Sequence, residues 1–254
     1  MFQFIWDYLI INYNQWDILY FTIMVLLISE FPIILFTMLD LLQLDCLKKY
    51  RIVYSNKPSR IYPTTKEIYH ALGVFIPIVF LGLIPISYFG ISLLKYLHWN
   101  PYNMSSILPS FFDGFCHYFL ISILSELFFY GLHRLVHTKR LYWIHKHHHN
   151  YKYNSFSIVN HYLHPIEIVL FIIPPALPPI LLGSHLMIVW IYAIITNWLG
   201  AYIHSGYQFT ILDKLLMIRS TDHDIHHIRP KHNFGTGLFH SFIDKLFGTY
   251  LDIC

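Results

Sequence analysis

Apolar residues in this chain run in long blocks separated by short polar or basic segments. The first block, Ile18–Leu39, is about the 20 residues that a helix needs to cross a bilayer. Glu30 and Pro32 interrupt it. The second, Ala71–Leu97, holds Pro77 and Pro85 and is long enough to tilt or break. The third, Phe115–Val136, runs directly into a cluster of histidines. Two shorter blocks follow, Ile166–Leu182 and Leu186–Ile203, joined by Gly183-Ser184-His185; the first contains Pro174, Pro175, Pro178 and Pro179. They predict a helical hairpin whose full crossing the pattern leaves open. The expected fold is all-α: an integral membrane helical bundle of about four transmembrane spans, the last two stretches a hairpin, with a histidine-rich helical cap.

Composition agrees with the pattern. Of 254 residues, 56% are hydrophobic and 12% charged, about half the charged share of a soluble domain. The net charge of +3 is too small to suggest nucleic acid, and the three cysteines, Cys46, Cys116 and Cys254, form neither a disulfide framework nor a thiolate site. The first fifteen residues lack the positive start of a cleavable signal.

Charge distribution gives an orientation. Lys48, Lys49, Arg51, Lys57, Arg60 and Lys66 fall in the segment 40–68, and Lys139, Arg140, Lys146 and Lys152 in 138–165. The tail from 204 is also basic, whereas the N-terminus and 98–114 are not. Cytoplasmic loops carry the excess of Lys and Arg. The segments 40–68, 138–165 and the tail are therefore expected in the cytosol, with the N-terminus outside. Asn103-Met104-Ser105 is a glycosylation sequon in the loop expected on the lumenal side.

Fifteen of the 18 histidines lie between His133 and His240. His133 and His137 are four apart. His145, His148 and His149 have spacing i, i+3, i+4, and so do His223, His226 and His227. Residues three or four apart share a helix face, so each box can aim its imidazoles at one point. Imidazole suits iron, zinc, copper and nickel. His204 stands alone at the end of the last apolar block, and His161 and His164 are weaker additions. One zinc takes four ligands at most in its usual sites, so nine or more histidines point to two metals. His70, His98, His117 and His185 read as core histidines, and His147, His232 and His240 as residues near the site without a ligand role. Glu30 reads first as a buried acid facing protein, although an acid inside a span is also a functional candidate. Asp222, Asp224, Glu126 and Asp244 are the acids nearest in sequence that could orient ligand imidazoles, Asp224 first among them.

These residues resemble the fatty acid hydroxylase/sterol desaturase superfamily of membrane di-iron enzymes. The resemblance rests on His133-x-x-x-His137, His145-x-x-His148-His149, His204-Ser205-Gly206-Tyr207 and His223-x-x-His226-His227. It continues through Asn233-Phe234-Gly235 to Asp244-Lys245-Leu246-Phe247-Gly248-Thr249. The look is closest to the sterol 4-methyl oxidase and cholesterol 25-hydroxylase branch. The resemblance implies an N-terminal transmembrane region, 1–114, and a hydroxylase-like catalytic domain, 115–252, built as one unit. It further implies two iron ions, which zinc can replace in purified protein, and O₂-dependent hydroxylation, oxidation or desaturation of a lipid C–H bond. Electrons would come from NAD(P)H through a reductase and a cytochrome b-type donor in trans. The host membrane would be the endoplasmic reticulum, with the boxes on the cytosolic face. One departure is Gly200, four residues before His204, where fatty acid hydroxylases carry a second histidine; His161 or His164 would fill that place.

Three other readings compete. A zinc-binding membrane hydrolase would want H-E-x-x-H, but Arg134 follows His133 and Lys146 follows His145. A metal-handling protein would place ligands across the bilayer midplane, whereas these group at one face. A scaffold that has lost activity fits poorly with intact boxes.

Overall fold

A computed structural model describes residues 2–53, 62–153 and 155–252. Lys57, Arg60 and Cys254 lie outside the described residues. Twelve helices account for most of what is described, and no strand occurs there beyond two isolated bridges.

The first span is one apolar run broken in the middle. Helix α1 (Phe2–Asn12) precedes it, and Asn14 then caps α2 (Gln15–Ser29) by accepting from the backbone N–H of Trp16 and Asp17. The chain kinks at Glu30, and Pro32 sits in the first turn of α3 (Phe31–Leu42), where its missing N–H costs nothing. Helix α1 was not expected from the sequence. It is held by Trp6, which is fully buried against the rings of His185 and Trp190 and donates from Nε1 to Ser105 O.

The second span starts at a reciprocal cap between Thr64 and Glu67. Its α4 (Thr65–Pro77) and α5 (Ile84–Tyr96) are joined by a wide π-helical turn, Ile78–Leu83. Pro77 and Pro85 explain the irregular turn, because proline interrupts the regular hydrogen-bond ladder. The third span, α6 (Phe111–Val136), is capped by Ser110 and reaches His133 in its last turn.

After a short α7 (Tyr142–His145) and two 3-10 turns, His148–Asn150 and Ser157–His161, the predicted hairpin forms as α8 (Pro165–Leu181) and α9 (Leu186–Ile203). Its tip lies against the loop that precedes α6. Asn103 N–H donates to Ser184 O at 3.1 Å, Leu186 N–H to Asn103 O at 2.9 Å, and His185 Nε2 to Ser105 O at 3.2 Å. The hairpin therefore spans the bundle from the histidine end to the opposite end. Among the described residues four segments are long and apolar enough to cross a membrane: Gln15–Leu42, Thr65–Tyr96, Phe111–Val136 and Leu186–Ile203. Their outward residues include Leu81, Phe89 and Phe111, each well exposed, as expected of surfaces that face lipid.

Three short helices complete the histidine end: α10 (Thr210–Leu215), α11 (Ser220–Ile228) and α12 (Leu238–Leu246). The N-terminal spans pack into the same core. Ile33, Phe36, Ile68 and Ala71 meet Phe156, Ile158, Tyr202 and Tyr207 in one cluster.

A buried ion pair ties the segment between the first two spans to the histidine end. Arg51 Nη1 lies 3.1 Å from Asp40 Oδ1 and donates to Ser205 O at 2.7 Å, beside His204. Its guanidinium also stacks over Tyr207, 4.6 Å from the ring centre. The side chains of Arg51 and Asp40 are 2% and 0% exposed. Breaking a buried pair leaves one charge uncompensated, a cost of about 3–5 kcal/mol. Arg51→Met should therefore lower the thermal midpoint of the purified protein sharply, with the double variant Arg51→Met/Asp40→Leu recovering part of the loss. A midpoint unchanged in the single variant would contradict this role.

Gly206 explains the form of the His204-Ser205-Gly206-Tyr207 element. Its φ is +71°, and a Cβ there would lie 2.5 Å from Ser155 O and 2.9 Å from Arg51 Nη1. Only glycine allows the chain to turn back so close to Arg51.

Candidate metal centre and cavity

Nine histidines converge at one end of the bundle, in two groups. His133, His137, His145, His149 and His226 form the first, and His148, His204, His223 and His227 the second. Within each group one nitrogen per residue lies within 4.8 Å of all the others. The facing atoms are the Nε2 nitrogens. In the first group His133 to His145 is 3.0 Å, His137 to His226 3.0 Å, and His145 to His149 3.0 Å. In the second, His204 to His223 is 2.9 Å, His204 to His148 3.2 Å, and His223 to His227 3.2 Å.

Nitrogens at these separations would crowd their lone pairs without a cation between them. Metal–nitrogen bonds of about 2.0–2.1 Å put adjacent ligands roughly 2.9–3.4 Å apart in octahedral to tetrahedral geometry. The observed spacings fall in that range, so each group fits a metal ion. The rings are also oriented for it. The Nδ1–H of His133 donates to Phe234 O, that of His204 to Gly200 O at 2.8 Å, and that of His226 to His232 O at 2.7 Å. His145 Nδ1 donates to the carboxylate of Glu167. With Nδ1 occupied in this way, the Nε2 lone pair points inward.

The boxes do not each serve one point, as their spacing suggested. Only His133 and His137 stay together as a complete box. His145 and His149 enter the first group while His148 enters the second, and His223 and His227 enter the second while His226 enters the first. The i, i+4 pairs remain together and the i+3 residue turns to the neighbouring group. On α11, His226 stands about 100° around the helix from His227 and so can reach the other group, whereas His148 is aimed by the 3-10 turn that follows α7.

His161 and His164 lie outside both groups. His161 Nε2 is 2.9 Å from Glu30 Oε2, and His164 Nδ1 accepts from Ile166 N–H to cap α8. His147 packs on His164, His70 bonds to Tyr162, and His117 to Ser184. His232 contributes its carbonyl to His226.

Glu167 is the acid that the sequence did not single out. It lies far from the boxes in sequence, 22 residues after His145. The one signal was its place two residues after Pro165, where a Glu caps a helix start. It does reach back to His164 N–H. Three of the acids nearest the boxes, Asp222, Glu126 and Asp244, bond to groups other than the imidazoles. Asp222 holds Ser241 and Arg219, and Glu126 accepts from the backbone and hydroxyl of Thr236. Asp244 accepts from the N–H groups of Phe234 and Gly235, both at 2.8 Å, and so fixes the peptide whose carbonyl orients His133. Asp224 is buried on α11.

Burial, followed by the charge of neighbouring histidines, pushes His148, His223, His226 and His227 well below the usual imidazole pKa. Burial likewise brings His204 down to about 4. Folded values below the unfolded one mean that the unfolded chain takes up protons first. The contribution of these histidines to the stability of the metal-free protein is therefore fully present above about pH 6.5 and is lost below it, by up to about 1.4 kcal/mol per pH unit for each such histidine. Thermal midpoints of chelator-treated protein from pH 8 to pH 5 should fall steeply below 6.5; a flat profile would contradict the buried neutral cluster.

A cavity of 640 Å³ opens on the two groups, within the range of small-molecule sites of about 300–1,000 Å³. His133, His145, His148, His204 and His223 form part of its wall. Most of the remainder is apolar, from Leu19 on α2, Leu83 in the π-helical turn, Phe129 on α6, Phe171 on α8 and Trp190 on α9. No sequence pattern marked these residues as one surface, because they come from five elements.

The pattern of the family described as fatty acid hydroxylase matches residues 118–249 of this chain. A putative methylsterol monooxygenase of Dictyostelium discoideum is 26% identical over 80% of this chain and 73% of its own length. A very-long-chain aldehyde decarbonylase of Oryza sativa subsp. indica is 28% identical over 97% and 90% respectively. A cholesterol 25-hydroxylase-like protein of Danio rerio is 26% identical over 98% and 89%. No solved structure matches. The chain belongs to the fatty acid hydroxylase family, and with four candidate spans it is a multi-pass membrane oxidoreductase that acts on lipids.

Proposed function

We propose that this chain is a di-iron oxygenase that hydroxylates, oxidises or desaturates a sterol or fatty-acyl substrate at an unactivated carbon. The observation that carries the proposal is the pair of imidazole groups in the wall of a largely apolar cavity. His133, His137, His145, His149 and His226 would hold one iron, and His148, His204, His223 and His227 the other. When bound, the two irons supply the reduction of O₂ and the oxidising power to remove a hydrogen that no side chain could remove.

The chain's own residues supply the rest. The Nδ1 hydrogen bonds to Phe234 O, Gly200 O, His232 O and Glu167 fix four rings before any ligand arrives. The cavity walls keep bulk water from the reacting carbon, and their aromatic and aliphatic side chains bind the lipid body. We propose that residues 1–114 are part of the same unit as 115–252, since Leu19 and Leu83 line that cavity. The basic loops support a cytosolic histidine face, and the endoplasmic reticulum is the host membrane we infer. Electrons come from NAD(P)H through a reductase and a cytochrome b-type donor in trans.

The test is metal content and Mössbauer spectroscopy of protein purified anaerobically from iron-supplemented cells, beside a His226→Ala/His227→Ala control, which removes one ligand from each group. About two irons per chain with a coupled signal, lost in the control, is the expected result. Stoichiometric zinc with no iron uptake after reconstitution would instead favour a zinc hydrolase or a metal-handling protein.

A further inference from the structure

Inside the largely apolar cavity lies a polar cluster that the metal centre does not use. The kink between α2 and α3 turns Glu30 into the cavity wall, beside His161, Asn197 and Asn160. Glu30 Oε2 meets His161 Nε2 at 2.9 Å. Asn197 Nδ2 donates to Ser29 Oγ at 2.5 Å and stands 3.4 Å from Glu30 Oε1. That last distance exceeds a normal hydrogen bond, so Glu30 Oε1 keeps acceptor capacity toward the cavity. The side chains of Glu30 and His161 are each 14% exposed, so the pair is not sealed into the core.

We propose that this cluster binds the hydroxyl group of an uncharged lipid alcohol, and that it selects such a substrate against a free carboxylate. The inference rests on the lipid-oxygenase reading for the nature of the ligand's body; its polar end is argued from the cluster alone. Glu30 Oε1 can accept the O–H, and the amide of Asn197 can donate to the hydroxyl oxygen. An ionisable residue in an apolar, membrane-embedded site is costly and tends to mark a functional pathway. A ligand carboxylate would bring its negative charge beside the acid Glu30 in a medium of low dielectric. A hydroxyl adds none.

The cluster is also placed to address the metal centre without being part of it. Asn197 on α9 and His204, the C-cap of that helix, are seven residues apart. Two turns of helix bring them to the same face, about 10 Å apart along the axis. Gly200 lies between them on that face, and a Cβ there would lie 2.9 Å from Asn160 Oδ1. The bare glycine backbone keeps Asn160 close to α9 while Gly200 O orients His204. Gly200, in place of the second histidine, thus serves a close approach between α9 and the turn that carries His161.

The test uses full-length protein in detergent and equilibrium binding of two sets of tritiated probes. Octadecan-1-ol is compared with octadecanoate and octadecyl methyl ether, and cholesterol with its 3-methyl ether. A hydrogen bond to a charged group is worth enough for a preference of roughly tenfold or more. In at least one set the alcohol should bind that much more tightly than its analogues. Glu30→Gln should relieve the discrimination against octadecanoate, and Asn197→Leu should bring alcohol and ether within about threefold of each other. Iron content, measured on the same samples, should stay at the wild-type level. Equal binding of alcohols and their analogues by the wild-type protein, or wild-type preferences retained in both variants, would overturn the proposal. The wild-type comparison decides even if one variant fails to fold. Binding is read without turnover, so poor iron loading would count against the di-iron reading and not against this one.

Discussion

Replacing His223 and His227 together by alanine should leave about one iron per chain and no measurable lipid oxidation. The second group has four imidazoles, and this double variant removes two of them; the first group keeps all five. Iron bound by the first group should give an uncoupled signal in place of the coupled one. Loss of one metal from a two-metal site forfeits several kcal/mol of barrier lowering, so turnover should fall by at least about a thousandfold. The opposite experiment removes His133 and His137, the one box that serves a single group. It should deplete the first site and spare the second. Metal analysis of the two double variants therefore distinguishes two separate sites from one diffuse cluster. If either variant loses both metals while its fold, checked by circular dichroism, persists, the division into five and four is wrong.

The second large effect is expected at Glu167. It is fully buried and holds His145 through Nδ1, while its other oxygen accepts from His164 N–H at the start of α8. A carboxylate behind a ligand imidazole fixes the tautomer and makes the other nitrogen a better donor, and removing it typically costs about 10–100-fold in metal affinity or activity. Glu167→Ala should reach the upper end of that range, because it also leaves the His145 N–H without its acceptor. Glu167→Gln keeps a carbonyl oxygen for that hydrogen bond and should fall near the lower end. The check is iron retained under graded chelator, with turnover measured alongside. Equal retention by wild type and Glu167→Ala would remove Glu167 from the site. Glutamine has one acceptor oxygen where Glu167 uses two, so a glutamine that accepts from His145 gives up the His164 N–H, and circular dichroism of both variants separates orientation of His145 from general destabilisation of α8.

The histidine cluster was legible because imidazoles at helical spacing are conspicuous in a chain this apolar. His133, His137, His145, His148, His149, His204, His223, His226 and His227 could be picked out by number alone, and the structure brings those nine together. Spacing did not say how they divide. It records which side chains share a helix face, whereas the division depends on how the end of α6, the turn at His148 and α11 meet in space. His161 and His164 show the limit from the other side. Their i, i+3 spacing looked like a partial box, yet His161 faces Glu30 and His164 caps α8.

The spans were legible from apolar run length, and their breaks from Glu30, Pro32, Pro77 and Pro85. The short α1 was not, since a segment with few long-range signals becomes helical here through Trp6, whose partners lie 99 residues or more away. The depth of the hairpin was likewise open until its tip was seen bonded to Asn103.

By itself, then, the sequence determined an all-helical membrane chain and the nine histidines that the structure gathers at one end. Both follow from local properties: the apolar length of a segment and the ligand chemistry of a residue type. Only the tertiary structure decided the five-and-four division, the choice of Glu167 over the acids nearer the boxes, and the cavity that joins Glu30 to the histidines. Each of those depends on residues distant in sequence meeting at one place, and no periodicity within a single element records which distant partner a side chain will meet.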